Sequence, residues 1–369
     1  MQIVSDPAER FARWLEDEAG IADARIVRPL TGGNANVTSL VESASGPMVL
    51  RHPPGDTVSD LAGAGIAREF RFISAIAGKA PVAEPILFCD DPDVLGVPFS
   101  LTRFVRGAAI TETLPDGYAH DVATRDALGH ALIDAIASVH AIKPIPAGLG
   151  DADKARNFVV RQIERWRGVR AAHAVRNLPL IETLGAWLAD NAPAPEAVRI
   201  VHCDYHLDNV LMDLAEPKVR AILDWEMATL ADPLVDVGLV TAMWNRDDSL
   251  PLGFAFVQRV SNVAGVVGGA DLARRWADAT GLSIEHLGYF QAFALWRLAA
   301  IVEGAYVLFR EGQVDGPYER GLEHDVPALL DAAQRLVHHR GVHHAIPSPR
   351  AIRCAAPSSA GTSCSSPRS

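Results

Sequence analysis

The sequence predicts an α+β fold of two lobes. β-prone runs crowd the first hundred residues around a single internal helical stretch. Helical apolar periodicity fills most of the remaining chain, and the two element types segregate instead of alternating as βαβ units. The length of 369 residues suits about two domains or lobes at roughly 100–200 residues each. Hydrophobic residues at 49% and charged residues at 21% supply a large core and exclude global disorder. The expected division is a β-rich lobe over 1–106, a mainly helical lobe over 107–340 and a disordered tail over 341–369.

Each element has a local reason. Asp6 and Pro7 ahead of Phe11, Trp14 and Leu15 predict a capped amphipathic helix. After a Gly32-Gly33 turn, β-prone runs at 37–42 and 48–51 flank a Gly/Pro turn at 43–47 and predict a hairpin. Residues 62–76 are helical. Strands are expected at 85–89 and 98–105, joined by the turn-rich DDPDVLG. From about Gly107 the pattern changes. Leu128, Leu132, Ala135, Ile136 and Val139 form a helical stripe within 124–142. Further helices are expected at 162–169, 178–188, 235–244, 252–264, 270–280, 286–309 and 326–339, with one β-rich island at 200–223. The last segment, rich in Ser, Pro, Ala and Gly, has no apolar periodicity.

Charge and cysteines exclude several functions. The net charge is −11, and the tail contributes +3 through Arg350, Arg353 and Arg368, leaving −14 on the body. That balance argues against a nucleic-acid partner, which needs clustered Lys and Arg. Cys89, Cys203, Cys354 and Cys364 form no CxxC pair, so neither a disulfide framework nor a zinc site is indicated. Asp6 and Glu9 come too early for a signal peptide, and Arg297 and Glu303 interrupt the apolar stretch 293–309. The expectation is a cytoplasmic protein with reduced thiols and no membrane partner.

The chemistry is concentrated in VHCDYHLDNVLMDLAEPKVRAILDWEMATLADPLVDVG. Two short apolar runs, 210–212 and 219–223, form a hairpin; folding it about residues 216 and 217 lays Asn209 beside Asp224 at the open end. A carboxylate and an amide oxygen converging there suit Mg²⁺, which takes oxygen ligands and keeps several waters. Asp204, just upstream, can accept a proton from a hydroxyl next to the metal. Phosphoryl transfer requires this layout, a base for the nucleophile and a cation on the phosphates.

In order along the chain, His202-x-Asp204-x4-Asn209, then Leu223-Asp224-Trp225-Glu226, then Asp232-Pro233-x2-Asp236, resembles the aminoglycoside phosphotransferase / choline kinase superfamily. The segments TGGNANVTSLV, VLRHPPGD, REFRFISAI and PVAEPILFCDDPDVLGVPFSLTRFVRG are similar to a subgroup found alone in bacteria and fused to some acyl-CoA dehydrogenases. The resemblance covers roughly residues 25–340 and implies a bilobal protein-kinase-like fold. It also implies an ATP- or GTP-dependent, Mg²⁺-dependent kinase acting on a small-molecule hydroxyl. Its implied roles are Asp204 as base, Asn209 and Asp224 as Mg²⁺ ligands, and Arg51 on the nucleotide phosphates with Glu69 as its helix partner. Gly32, Gly33, Asn34 and Asn36 fall in the nucleotide-covering loop. Arg103 and Val105 fall at the hinge that meets adenine. His202 and Asp236 support the catalytic loop.

Three positions depart from the family pattern. Arg51 replaces a lysine and keeps the role, because a guanidinium binds phosphate oxygens bidentately. Cys203 replaces a glycine and costs backbone freedom at that turn. His206 stands where the subgroup usually has arginine. Plainer readings stand beside these. Asp208 is a solvated or loop-stabilising acid, Glu226 a water-mediated metal contact or an ion-pair partner, and His140 a buried helix-end histidine. Trp225 and Trp296 are core or pocket wall. Arg106, Arg161, Arg165 and Arg297 are surface residues or line a pocket for an anion. The subgroup resemblance favours a hydroxy-metabolite or hydroxyacyl-CoA substrate. The acidic body suits a cationic aminoglycoside, and a non-catalytic nucleotide-binding module is the third alternative.

Overall fold

The structure, a computed structural model, describes residues 6–30, 36–54, 60–110, 112–245 and 258–338. The expectations for Gly32, Gly33, Asn34 and the tail lie outside these residues.

Helix α1 (Pro7–Ala19) starts where the Asp6 carboxylate accepts the Ala8 N–H at 3.1 Å and stops at Gly20 in the left-handed region. It lays Phe11 and Trp14 edge-on against Phe99, with centroids 5.5 and 5.6 Å apart. Phe99 belongs to an antiparallel sheet of five strands: β1 (Arg25–Pro29), β2 (Val37–Glu42), β3 (Met48–His52), β4 (Pro85–Cys89) and β5 (Phe99–Arg103), in the order β1-β2-β3-β5-β4. The β2–β3 hairpin runs in register from Val41 opposite Met48 to Val37 opposite His52. Met48 and Leu50 bury into the core beneath α1, and strand alternation therefore sends Arg51 to the opposite face. Strand β1 gave no alternation signal because it is a mostly exposed edge strand carrying two arginines. The DDPDVLG turn contains a short helix, α3 (Pro92–Leu95), capped by Asp91.

Helix α2 (Asp60–Ile76) lies on the face that Arg51 reaches. Its Phe72, Ile73 and Ile76 join the large core of the helical half of the chain, not the core under α1. That half contains α4 (Val122–His140), α5 (Ala152–Arg156), α6 (Phe158–His173), α7 (Pro179–Asp190), α8 (Leu234–Met243), α9 (Gly269–Thr280), α10 (Leu287–Arg310) and α11 (Pro317–His338). Two small ladders are set among them. Strand β6 (Arg199–Val201) pairs with β9 (Thr229–Ala231), and β7 (Val210–Met212) pairs with β8 (Val219–Ile222).

Three element expectations need correction. The helix expected over 252–264 is absent among its described residues, where a 3₁₀ turn spans Arg259–Ser261 and the Ser261 hydroxyl bonds the Gln258 carbonyl at 2.7 Å. That local side-chain bond competes with helix propagation. Helix α11 begins nine residues before the expected 326, with Pro327 inside it and not at its start. Helix α6 extends past its expected range at both ends.

Helix α10 is long and apolar enough by composition to cross a membrane, yet 61% of its most apolar window is buried within the protein. Its Glu303 meets Arg176 Nε at 3.0 Å inside the core. The sheet and the helical half are joined beside the β7–β8 hairpin. Ala108 and Met212 exchange two backbone hydrogen bonds of 2.9 Å, and Ile222 N–H donates to the Pro81 carbonyl at 2.7 Å. Gly107 has no room for a side chain, since a Cβ there would lie 2.7 Å from the Met212 carbonyl oxygen.

Candidate active site

The β7–β8 hairpin forms where the sequence predicts it but one residue out of the predicted register: folding about residues 216 and 217 would pair Val210 with Leu223, and an irregularity between Leu211 and Met212 shifts the pairing. Val210 faces Ile222, and Leu223 N–H donates to the Asn209 carbonyl at 2.8 Å, so Asn209 and Asp224 are neighbours at its open end. Asp224 has left-handed backbone (φ 62°), which turns the chain out of β8 into a 3₁₀ turn over Trp225–Met227. Aspartate tolerates that region better than most residues.

The loop before the hairpin is fixed from beneath. Asp236, fully buried in the first turn of α8, accepts the N–H groups of His202 and Cys203, each at 2.7 Å. His140 Nε2 lies 3.1 Å from the same carboxylate, while its Nδ1 accepts the Trp276 indole N–H at 3.0 Å. His140 is therefore a buried strut. His202 links the two halves of the site, since its Nε2 donates to the Leu223 carbonyl at 2.6 Å and its Nδ1 accepts the Asp204 N–H at 3.3 Å. Cys203 takes φ 69°, the conformation in which a glycine would be unstrained.

This scaffold presents Asp204 to the cleft with its side chain 40% exposed. Asn209 Nδ2 donates to the Asp204 carbonyl at 2.8 Å and to its carboxylate at 3.0 Å, leaving the amide oxygen as the atom Asn209 can offer a cation. His206 lies 3.7 Å from both the Asp204 and the Asp208 carboxylates. Burial opposes ionisation of Asp204, but the pairing with His206, helped by His202 and Arg297, holds its carboxyl at about 2. Burial likewise opposes the His206 cation, and Asp204, then Asp208, outweigh it and raise the imidazole above its ordinary value. Asp208 is partly buried and its carboxyl is pushed up by that burial, so it is a loop acid and not a solvated one.

Across the cleft, Arg51 Nε lies 3.0 Å from Glu69, Nη2 lies 2.6 Å from Asp224, and Glu226 is 3.7 Å away. The strand and helix residues thus meet the turn after β8 directly. Burial raises the Glu69 carboxyl to about 7, more than Arg51 and the Trp225 N–H restore, because Asp224 and Glu226 add repulsion. Glu226 is raised too, by burial and by Asp224. Asn36 Nδ2 donates to Glu226 at 3.0 Å, tying the start of β2 to the turn after Asp224.

Three carboxylates around one guanidinium leave a local excess of negative charge. The Asp224 and Glu226 carboxylates with the Asn209 amide oxygen form a hard-oxygen donor set that fits Mg²⁺, whose other ligands come from water and phosphate.

The remaining expected residues separate from this cluster. The Arg103 guanidinium bonds the Ser45 carbonyl and its N–H bonds the Glu84 carbonyl, both at 2.8 Å, so the Arg103 side chain braces the β2–β3 turn. Val105, half-buried, follows on the connection to Gly107. Arg161 is spent on the Lys154 carbonyl, and Arg165 stacks over Trp166 at 5.2 Å. Arg297 is neither surface nor pocket wall, being 6% exposed and bonded to the Cys203 carbonyl at 2.6 Å. Trp225 and Trp296 are fully buried core. Sequence reasoning missed the Asn36–Glu226 bond and the Arg297 contact, which join residues far apart in the chain and carry no local pattern.

A five-stranded antiparallel sheet set on a mainly helical half is the architecture of the phosphotransferases with a protein-kinase-like fold. The chain belongs to the phosphotransferase enzyme family, APH, whose profile matches residues 26–274. It is similar to acyl-CoA dehydrogenase family member 10 of Mus musculus, 27% identical over 315 residues that cover 85% of this chain and 29% of that protein. Member 11 of Gallus gallus is 28% identical over 79% of this chain and 38% of that protein. The chain thus spans only 29–38% of the length of these relatives. Among solved structures, a candidate aminoglycoside phosphotransferase from Ralstonia eutropha is 27% identical, with a TM-score of 0.75 over 89% of this chain and 98% of that one. A thermostable aminoglycoside phosphotransferase variant in ternary complex with ADP and hygromycin B shares the fold at 16% identity. Its TM-score is 0.56 over 88% of this chain and 98% of that one.

Proposed function

We propose that the protein is a Mg²⁺-dependent kinase that transfers the γ-phosphoryl group of ATP or GTP to the hydroxyl of a small hydroxy-metabolite or hydroxyacyl-CoA. The nucleotide would bind between a lobe over 1–106 and a lobe over 107–340. The observation that carries this reading is the meeting of Arg51, Glu69 and Asp224 beside the loop that holds Asp204 against Asn209.

In this reading Asp204 orients the acceptor hydroxyl and takes its proton. The acceptor oxygen bonds to the γ-phosphorus as the bond from that phosphorus to the bridging oxygen breaks, and the nucleoside diphosphate leaves. Asn209 keeps the Asp204 carboxylate in one rotamer. Arg51, aligned by Glu69, neutralises charge on the departing diphosphate. Asp224 and Asn209, with Glu226 close by, would hold Mg²⁺, which supplies further charge neutralisation on the phosphates. Positioning and electrostatics account for the catalysis.

A second acceptor class is favoured by one observation, the −14 charge of the body. That field would attract a cationic aminoglycoside, and a structural relative was solved with ADP and hygromycin B. The test is transfer of labelled γ-phosphate from ATP and from GTP to a panel of hydroxy acids, hydroxyacyl-CoA thioesters and aminoglycosides. Labelling of the first two groups supports the proposal. Labelling confined to aminoglycosides replaces the substrate class. Tight Mg-nucleotide binding without any transfer marks a non-catalytic module.

A further inference from the structure

Arg297 is a buried guanidinium without a carboxylate partner among the described residues. It projects from α10 and is 6% exposed. Its Nη1 donates to the Cys203 carbonyl at 2.6 Å, its Nη2 reaches only the Met227 sulfur at 3.9 Å, and its Nε is buried with no acceptor. Burying an unpaired charge is costly, so such groups are retained where they compensate another charge or perform a task.

The compensating charge lies one residue of backbone away. Asp236 accepts the Cys203 N–H, and Arg297 donates to the carbonyl of the same residue. The two side chains hold Cys203 from both sides, so that its backbone donor and acceptor each make a charge-assisted hydrogen bond. Cys203 sits at φ 69°. A non-glycine residue is strained in this conformation and keeps it only when its surroundings over-determine it. The next residue is Asp204.

We propose that Arg297 is a positioning residue for the catalytic loop. With Asp236 it clamps Cys203 in the left-handed conformation and thereby aims the Asp204 carboxylate. Its kinetic consequences rest on the phosphotransferase reading above; the clamp itself does not. Arg297 acts through the backbone of Cys203 and touches no reacting atom.

The test compares the full-length wild type with Arg297→Met, Arg297→Lys and Cys203→Gly, and with the double variant Arg297→Met/Cys203→Gly. Backbone hydrogen exchange at Cys203 and Asp204 reads the clamp without turnover, and transfer of labelled γ-phosphate from the Mg-nucleotide to the acceptor panel, with nucleoside diphosphate formed in equal amount, reads its effect. Arg297→Met is expected to speed exchange at both amides at least tenfold and to lower kcat at least thirtyfold, with KM for the nucleotide within threefold. Arg297→Lys should recover part of kcat. Glycine adopts the left-handed region freely, so Cys203→Gly should restore at least tenfold of the activity lost in Arg297→Met. The double variant also serves where the single one folds poorly. Unchanged exchange and kcat in Arg297→Met, or no restoration by Cys203→Gly, overturns the proposal. A wild type that transfers no labelled phosphate to any acceptor of the panel while exchange responds as stated keeps the clamp and discards the kinase reading.

Discussion

Arg51 Nη2 lies 2.6 Å from Asp224 Oδ1, an ion pair between strand β3 and the turn after β8 that spans 173 positions of sequence. The same guanidinium faces Glu69 on α2 at 3.0 Å. Sheet, helix and the turn after β8 therefore share one charge. Truncating it leaves a nearly buried carboxylate on α2 with no cation. Arg51→Met should lower stability by about 2 kcal/mol, below the range for a wholly buried pair because Arg51 is partly exposed. Adding Glu69→Gln should recover most of that loss. Denaturant melts of the two single variants and the double variant measure the coupling.

Glu69 also predicts a proton count. Its carboxyl stands at about 7, raised by burial and by repulsion from Asp224 and Glu226 against the pull of Arg51. A divalent cation held by Asp224 and Glu226, as proposed, would cancel that repulsion and lower the value. Binding of Mg-ATP at pH 7 should release a fraction of a proton, on the order of one half, because a group at its pKa is half protonated. Titration calorimetry in buffers of different ionisation enthalpy gives the number, and Glu69→Gln should abolish it.

Asp236 carries the loop on two N–H groups and meets His140 as well. Asparagine has the same shape but one acceptor oxygen, and its amide would turn a donor toward a donor. Asp236→Asn should destabilise the fold by about 2–4 kcal/mol, through lost charged hydrogen bonds and unsatisfied buried N–H groups. Phosphoryl transfer should fall at least a hundredfold. Thermal melts and steady-state kinetics on the same preparation test both.

Asp232 controls a pH dependence of stability away from the site. Burial raises its carboxyl to about 6 from an ordinary 3.8, despite N–H groups from Leu234 and Glu196 that pull the other way. The folded state therefore holds this proton more tightly than the unfolded chain. The contribution is most favourable below the unfolded value, declines as pH rises from about 4 to about 6, and is level above that. The span corresponds to about 3 kcal/mol at most, at 1.36 kcal/mol per pKa unit. Asp232→Asn should flatten this part of the stability–pH curve, as followed by denaturant melts between pH 4 and 7.

Helices with an apolar stripe and the β2–β3 hairpin were legible because their periodicity is local. The nearness of Asn209 and Asp224 was legible too, because the hairpin between them is short, but sequence places its register one residue off, since the irregularity between Leu211 and Met212 leaves no sequence signal. Strand β1 was not legible, because an edge strand exposed on most positions has no alternation to display. The start of α11 was obscured by Pro327, which a sequence treats as a boundary and the fold accommodates within the helix. The charge network was half legible. The family resemblance implied the Arg51–Glu69 pair, but only the packing of α2 on the turn after β8 brings that pair into contact with Asp224. Sequence alone leaves Arg297 as a surface residue or a pocket residue, since its neighbours in the chain say nothing of the Cys203 carbonyl it holds from within the core.

The central claim is that Asp204 and the Arg51–Asp224 centre perform one phosphoryl transfer. The direct measurement is Mg²⁺-dependent transfer of γ-phosphate from ATP or GTP to hydroxy acids and hydroxyacyl-CoA thioesters. Wild type, Asp204→Asn and Asp224→Asn are run side by side, and folding is verified by thermal melt. The account predicts transfer by the wild type and a loss of at least a thousandfold in each variant, with nucleotide affinity retained in Asp204→Asn. Transfer at wild-type rate by either folded variant would contradict it.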